Sequence, residues 1–519
     1  MSTSATGPAS PAVVGPPAGG YSHRQILVIM SGLMLGMFLA ALDQTIVTTA
    51  LTRISEDFHR LNLYNWVVTS YLLTSTVTTP LYGKISDLFG RKAIFQFAIV
   101  LFLAGSALSG LSGSMVQLIL FRGVQGLGAG GLFSLALSIV GDVIPPRDRG
   151  RYQGYFGGVF GIASIVGPLA GGFLVDEASW RWVFYVNLPI GVVALFVINR
   201  VLKADHRHRA ARIDWGGALL SVGGVALVLI AVQSAGQVAR LTTTAKWAGP
   251  LGIVLIAAFV WWEGRAAEPI VPLRLFRNNA FSVASVLGLI TGAVMFGAII
   301  FLPLYLQTVR HISPTYSGLR LLPLLVGLLF TSITSGLLIS KRGRYKIFVV
   351  TGTAVMSVGM YLMSLIEVNT GALVLAAMMF VVGAGLGLFM QTLIIAVQNA
   401  ISMQDMGVGT SAITFFRTLG GAIGAAVLGA VLLDQERVGL RADIAKYGKV
   451  LGSAHDFTSA MDRAFLWSVP VAVIAFALSF LLREVKLRTS LGHGAPTAQA
   501  GARVTDEVAG EVAGGQVLA

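Results

Sequence analysis

Among the 23 acidic residues of the chain, Asp43 is the one with long apolar sequence on both sides. A carboxylate in a low-dielectric medium is costly when ionised, and a cation beside it offsets that cost. Such a group can take up and release a proton. Arg122 is the internal cation that matches it. At 1.5 Å per residue, Asp43 lies about 25 Å and Arg122 about 27 Å from the inner ends of the apolar runs that hold them. Two roles are open to Asp43: a proton carrier, or a structural partner that neutralises Arg122 without titrating. For Arg122 the two roles are coupling and helix packing through a buried ion pair. A second internal arginine, Arg417, has no acidic residue at its level in its own part of the chain. It is suited to attract an anionic group, to sit against backbone carbonyls or to face Asp43. Gly32, Gly36 and Ala40 share a helix face with Asp43, a lane small enough for a neighbouring helix or a bound molecule.

Other chemistries are excluded. There is no Cys, so disulfides, thiolate metal sites and cysteine nucleophiles are ruled out. The seven His residues show no paired metal-ligand spacing on a helix, and His206 and His208 sit in a basic stretch. No metal or cofactor is expected. No G-x-x-x-x-G-K-[ST] phosphate loop occurs, so the energy for any work must come from a gradient. One proton moving through 100 mV supplies about 2.3 kcal/mol, enough for roughly 50-fold accumulation of one substrate per proton.

The elements that must position these residues follow from composition. The 519 residues are 55% hydrophobic and 12% charged, with a mean hydropathy of +0.78. Soluble proteins carry about 25% charged residues. A polytopic membrane protein is therefore predicted. In a soluble protein the net charge of +14 would suggest nucleic acid; here its placement in loops matters more. Fourteen apolar runs are predicted to span the membrane, near 25–48, 62–82, 93–111, 115–140, 152–174, 181–199, 214–234, 247–263, 281–306, 319–339, 346–366, 371–398, 409–433 and 464–482. Residues 1–24 and 483–519 read as polar tails, disordered toward the chain ends. With the N-terminus inside, 23 basic residues fall on the inner side and 12 outside, so both termini are predicted to be cytoplasmic. The 399–408 turn departs from this rule, since it is predicted inside yet holds only Asp405.

The chain also repeats itself. Gly83-Lys-Ile-Ser-Asp87-Leu-Phe-Gly90-Arg91-Lys92 follows span 2, and Gly336-Leu-Leu-Ile-Ser340-Lys-Arg-Gly343-Arg344 follows span 10, an offset of 253 residues. At the same offset Gly154, Gly167 and Gly171 meet Gly407, Gly420 and Gly424. The repeat pairs spans 1–6 with spans 9–14 and leaves spans 7 and 8 as an insertion. It predicts an N-terminal six-helix half (25–200), a linker with two inserted helices (201–280) and a C-terminal six-helix half (281–482). Two such halves with a site between them at mid-membrane form a secondary-transporter architecture.

At this point several stretches resemble the major facilitator superfamily, and within it the fourteen-span drug/proton antiporter family. Leu42-Asp43-Gln-Thr-Ile-Val-Thr-Thr-Ala-Leu51 resembles that family's span-1 motif, with Thr48 or Thr49 where Asn is usual and Thr52 where Pro is usual. Gly83 to Lys92 resembles the superfamily's loop 2–3 motif, with its Gly, Asp, Gly and Arg positions filled. Arg122-Gly-Val-Gln125-Gly126-Leu-Gly128 resembles the span-4 motif assigned to proton coupling. Gly161-Ile-Ala-Ser-Ile-Val-Gly167-Pro168-Leu-Ala-Gly171-Gly172 resembles the span-5 motif of antiporters. Trp180 to Pro189 and Phe416-Arg417-Thr-Leu-Gly-Gly421 are further matches. The resemblance covers about residues 25–485. It implies an all-α polytopic membrane protein of the major facilitator fold, not an enzyme. It also implies a monomer in the lipid bilayer whose partners are protons and a small-molecule substrate, with no nucleic acid and no cofactor.

Three further groups of residues take their expected roles beside that resemblance. Asp87, Gly90 and Arg91 lie in a tight turn, where Asp87 can cap or face a helix N-terminus and Arg91 can meet Asp142. Together with Gly83 they are expected to form a gate, with simple inner-side positive charge as the alternative; Ser340 removes the charge from the second copy. In span 5 the glycines and Pro168 predict a bend and close packing against the other half. Gly36, Phe38, Gln125, Phe416 and Arg417 are candidate cavity residues, because aromatic groups accommodate several shapes. The expected function is proton-coupled export of a hydrophobic or amphipathic, cationic compound across the cytoplasmic membrane. A dedicated exporter of one metabolite, such as an antibiotic, siderophore or lipid, is the alternative.

Overall fold

The computed structural model describes residues 23–60, 63–202, 214–237, 243–266, 268–447 and 454–487. The predicted disordered ends and the basic linker with His206 and His208 lie outside the described residues. Spans 1–5 form α1 (His23–Asp57), α2 (Tyr64–Phe89), α3 (Arg91–Gly110), α4 (Met115–Val143) and α5 (Pro146–Glu177). Span 6 is broken into α6 (Trp182–Tyr185) and α7 (Asn187–Val201). Pro189 has no N–H for the carbonyl of Tyr185, and the helix restarts just before it. The inserted pair is α8 (Trp215–Gln237) and α9 (Thr243–Glu263), followed by α10 (Asn279–Thr308), α11 (Pro314–Arg320) and α12 (Leu322–Arg342). The remainder is α13 (Lys346–Met363), α14 (Ala372–Ala400), α15 (Met406–Tyr447) and α16 (Ala454–Ser479).

Eleven helical segments among the described residues, with α6 and α7 joined as one, are long and apolar enough to cross a membrane. The runs predicted at 62–82, 247–263 and 281–306 form helices outside that set, α10 with a shorter apolar stretch at Asn279–Met295. Several boundaries move outward from the prediction, among them the start of α16 at Ala454 and the end of α2 at Phe89. α1 continues to Asp57 and α15 to Tyr447, so 434–447 is helix and not loop. Apolar content marks only the part of a helix inside lipid, and a polar continuation carries no such mark.

The repeat is visible as packing. α1 lies on α5, α2 on α4, α3 on α4 and α1 on α7; α10 lies on α15, α12 on α14, α13 on α14 and α10 on α16 in the same pattern. Equivalent glycines make equivalent approaches, Gly167 and Gly171 to Thr45, Ile46 and Thr49 of α1, Gly420 and Gly424 to Leu289 and Ala293 of α10. Gly90 and Gly343, the equivalent residues that end α2 and α12, have φ of 92° and 71°. Only glycine takes that backbone without strain.

Between the two sets of helices, α2 and α4 meet α15, while α5 meets α12 and α14. These approaches are tight at the end where α1 begins and α16 finishes. A Cβ on Gly83 would stand 2.7 Å from the Gly407 carbonyl, and Gly150 and Gly336 touch backbone to backbone. Gln398 Nε2 donates to the Leu137 carbonyl at 3.0 Å. That end of the bundle is closed. There too Arg274 forms a bidentate pair with Asp405, at 2.9 and 2.7 Å. The acidic exception in the 399–408 turn is thus neutralised by the segment preceding α10. The inserted α8 packs on α9, α2 and α15, with Val225 and Leu229 against Val77 and Phe415. Trp215 and Trp247 are exposed on the outside of this pair, as interfacial tryptophans are.

Candidate functional site

Asp43 on α1 is fully buried, with Gln125, Arg122 and Asn187 equally enclosed around it. Arg122 Nη1 donates to Asp43 Oδ2 at 2.6 Å and to Gln125 Oε1 at 2.8 Å. Gln125 Nε2 and Asn187 Nδ2 both donate to Asp43 Oδ1, at 2.8 and 3.0 Å. The carboxylate therefore receives three N–H donors from α4 and α7. Helical spacing explains part of the cluster, since Arg122 and Gln125 are three residues apart and share a face of α4. The rest of the guanidinium is also accommodated: its carbon lies 4.2 Å from the Tyr71 ring centroid, and Nε points at the Val67 carbonyl at 3.4 Å. Asn187 Nδ2 also donates to Ser106 Oγ at 3.0 Å, while Asn187 Oδ1 is buried without a hydrogen-bond partner. Close approach of the helices is set by glycine, for a Cβ on Gly126 would strike Tyr71 and Thr74.

Asp43 and Arg122, matched by depth in the sequence, thus form an ion pair here. Asn187, Ser106 and Tyr71 were not among the candidates. Asn187 opens a helix directly after a break, two residues before Pro189 and inside the Trp180 to Pro189 match, and those were the available signals. The candidate cavity residues part company. Gly36 lies under Phe95 of α3 and Gly32 under Ile198 of α7, so helices fill the lane of small residues. Phe38 packs with Ala41, Leu42 and Ala163, and Phe416 packs edge-on to Phe276 and Phe415. Gln125 belongs to the Asp43 cluster.

Arg417 stands apart. It is half-buried, no carboxylate acts on its charge, and it has no hydrogen-bond or ion-pair partner among the described residues. An arginine at the middle of a membrane helix costs about 3 kcal/mol even by the mildest scale.

At the closed end, Asp87 pairs with Arg91, whose Nε donates to Asp142 Oδ2 at 2.7 Å and whose Nη1 reaches Ser86. The backbone N–H of Val408 donates to Asp87 Oδ2 at 3.1 Å. Asp87 therefore faces the N-terminus of α15, where unpaired N–H groups and the helix dipole favour an anion. Gly407 makes this possible, because a Cβ there would stand 2.6 Å from the Asp87 carboxylate. Asp87 lies past the span predicted at 62–82, and burial pushes its carboxyl up to about 6. Arg91 and the Val408 N–H pull the other way, and Asp142 adds to the rise. Along α5, Gly157 and Gly161 face Leu328 and Leu329 of α12, Gly167 and Gly171 face α1, and Pro168 touches Gly318. Gly172 is half-buried.

Comparisons with known proteins bear on the family and the fold. The sequence profile of the Major Facilitator Superfamily matches residues 33–425. The multidrug transporter protein MdtP of Bacillus subtilis is 37% identical over 415 residues, 80% of this chain and 76% of that protein. Multidrug resistance protein 3 of the same organism is 35% identical over 410 residues, 78% of this chain and 79% of its own length. Among solved structures, the human organic anion transporter MFSD10 superposes with a TM-score of 0.64 at 15% identity, over 90% of this chain and all of that one. The proton:xylose symporter XylE gives 0.63 at 14% identity, over 90% of this chain and 98% of its own. Such distant likenesses speak to the fold alone. A matching profile over most of the chain, relatives well above 30% identity and a shared helical fold place this protein in the Major Facilitator Superfamily, as a membrane transporter and not an enzyme.

Proposed function

We propose that the chain is a proton-coupled antiporter exporting hydrophobic or amphipathic compounds across the cytoplasmic membrane. It would cross the membrane fourteen times as two six-helix halves and an inserted pair, as a monomer, with both termini in the cytoplasm. The observation that carries the reading is the buried Asp43–Arg122–Gln125–Asn187 cluster. Asp43 is the proton carrier and Arg122 sets its charge state. The cluster has the parts for two protonation states. When Asp43 is ionised, three N–H groups hold it. When it is protonated, Arg122 keeps Gln125 Oε1, the Val67 carbonyl and the Tyr71 ring as acceptors. The new O–H can turn to Asn187 Oδ1, the acceptor that is otherwise unpartnered, after rotation of that amide.

With the termini inside, the Asp87 gate closes the cytoplasmic end and the proton reaches Asp43 from outside. Opening of the gate would release it inward while substrate leaves in the other direction. The multidrug names of relatives at 35–37% identity support export of varied compounds. A cationic substrate gains Asp43 as a partner only when Arg122 lets go of it.

Purified protein in liposomes, loaded with a pH-sensitive dye and offered cationic, neutral and anionic amphipaths under an imposed pH gradient, tests the reading. Substrate-dependent proton flux that disappears in Asp43→Asn is expected. Coupling that survives Asp43→Asn would make the carboxylate a structural partner of Arg122.

A further inference from the structure

Arg417 is an internal charge that the proposed mechanism leaves unused. It lies eleven residues beyond the start of α15, about 16 Å along the helix and so near the middle of a core about 30 Å thick. Its direction follows from its neighbours. At 100° per residue it shares a face with Thr410, Thr414 and Gly421. Thr410 accepts a hydrogen bond from Gln398 Nε2, which also donates to the Leu137 carbonyl of α4. Gln398 lies on α14 and carries its other bond across the seam to α4, so the face of Thr410 lies beside the contact between the two sets of helices. Phe416, one position earlier, turns the other way to pack on Phe276, and Val427 is exposed on the outside. The Arg417 backbone is fixed against α10, where a Cβ on Gly292 would strike its carbonyl.

Arg417 is thus fixed at its backbone beside the seam, above the closed end, and no carboxylate among the described residues pairs with it. Every carboxylate described in the C-terminal set is elsewhere: Asp405 is held by Arg274, Glu484 by the N–H groups of Tyr345 and Lys346, and Glu367, Asp456 and Asp462 lie at the opposite end. Buried charges in membrane proteins are paired or mark the path of what is carried. A guanidinium is also matched in shape to carboxylate and sulfonate oxygens.

We infer that Arg417 binds the anionic head of the exported compound, an amphipathic organic carboxylate or sulfonate. The inference rests on the export reading but not on its proton coupling. It carries an electrical consequence. Outward movement of one anion against inward movement of one proton transfers two charges, whereas exchange of a cation for a proton transfers none.

The test uses three dansyl probes with one fluorophore and different heads: the taurine amide (a sulfonate), the ethanolamine amide (neutral) and a trimethylammonium analogue (a cation). Equilibrium binding is measured on the full chain in nanodiscs, and transport in liposomes with an imposed potassium-diffusion potential and no pH gradient. The sulfonate is expected to bind at least tenfold more tightly than the other two. Arg417→Gln should weaken the sulfonate at least tenfold more than the neutral probe, with Arg417→Lys recovering part of the loss. Sulfonate transport should also be driven by the potential alone. An equal effect of Arg417→Gln on all three probes, preference for the cation, or no saturable binding of any probe overturns the inference. Saturable, Arg417-dependent sulfonate binding without proton flux would keep this site and remove the antiport reading.

Discussion

A guanidinium and a carboxylate enclosed by neighbouring helices cost little together and much apart, since the loss of one partner strands the other in low dielectric. Arg122→Leu alone is therefore expected to destabilise the protein by about 3–5 kcal/mol. Asp43→Leu combined with Arg122→Leu should recover most of that, as read by thermal melting in detergent. Neither variant should couple transport to protons, so stability and coupling separate in this pair. Asn187→Leu removes the amide assigned to both states of Asp43. Loss of one such hydrogen bond in the transition between states is expected to slow turnover about tenfold with the substrate KM unchanged. A fall in KM or a lower melting temperature in its place would mean that Asn187 only packs. Asp43, Arg122 and Arg417 were legible in the sequence because a charge inside an apolar run is costly wherever it points. Asn187, Ser106 and Tyr71 were not, because uncharged polar groups are tolerated in many helices and their meeting depends on how α1, α2, α3, α4 and α7 pack.

Between elements, the gate shows which half of a contact a motif can reveal. Asp87, Gly90 and Arg91 stand together in the sequence, and Asp142 was named as the partner of Arg91. The N–H of Val408 lies 321 residues from Asp87 and carries no side-chain signature. Span 5 is similar, for its glycines predicted close packing against the other half, yet Gly150, Gly157 and Gly161 go to α12 while Gly167 and Gly171 stay with α1. Gly407→Val places methyl groups against Asp87 and Arg91 and is expected to open this end. The gate should also respond to pH. Closed, Asp87 holds its proton up to about 6; open to water, a carboxyl does so only to its ordinary value of 3.8. The closed form therefore binds the proton more tightly, gains as pH falls from 6 toward 4, and loses that advantage as pH rises through 6. Spin labels at Ala93→Cys and Lys341→Cys, both exposed at this end, should show more of the short distance at pH 5 than at pH 7, and Asp87→Asn should abolish the difference. A gate indifferent to pH would mean that Asp142 and Arg91 compensate for the titration.

At the scale of the whole molecule, the repeat was legible because its glycines are fixed by backbone geometry, as the left-handed Gly90 and Gly343 show. Helix lengths were less so, because α15 runs 42 residues and only its lipid part is apolar. Orientation is open to direct test in a chain without native cysteine. Gly113→Cys, exposed at the end far from the gate, should react in intact cells with an impermeant maleimide, and Ala93→Cys only after permeabilisation. The reverse pattern would invert the assignment of inside and outside, and with it the direction of transport. The position of α8 has a different consequence. It lies across the line where α2 meets α15, whereas along α5 and α12 the outer residues Ile162, Val166, Val326 and Phe330 are bare among the described residues. A molecule dissolved in the leaflet thus meets two unlike flanks, one covered by α8 and one where the outer side chains of α5 and α12 are exposed. Two nearly equivalent halves thus make a transporter with a front and a back in the plane of the bilayer, one flank lined by an added helix and the other formed by α5 and α12.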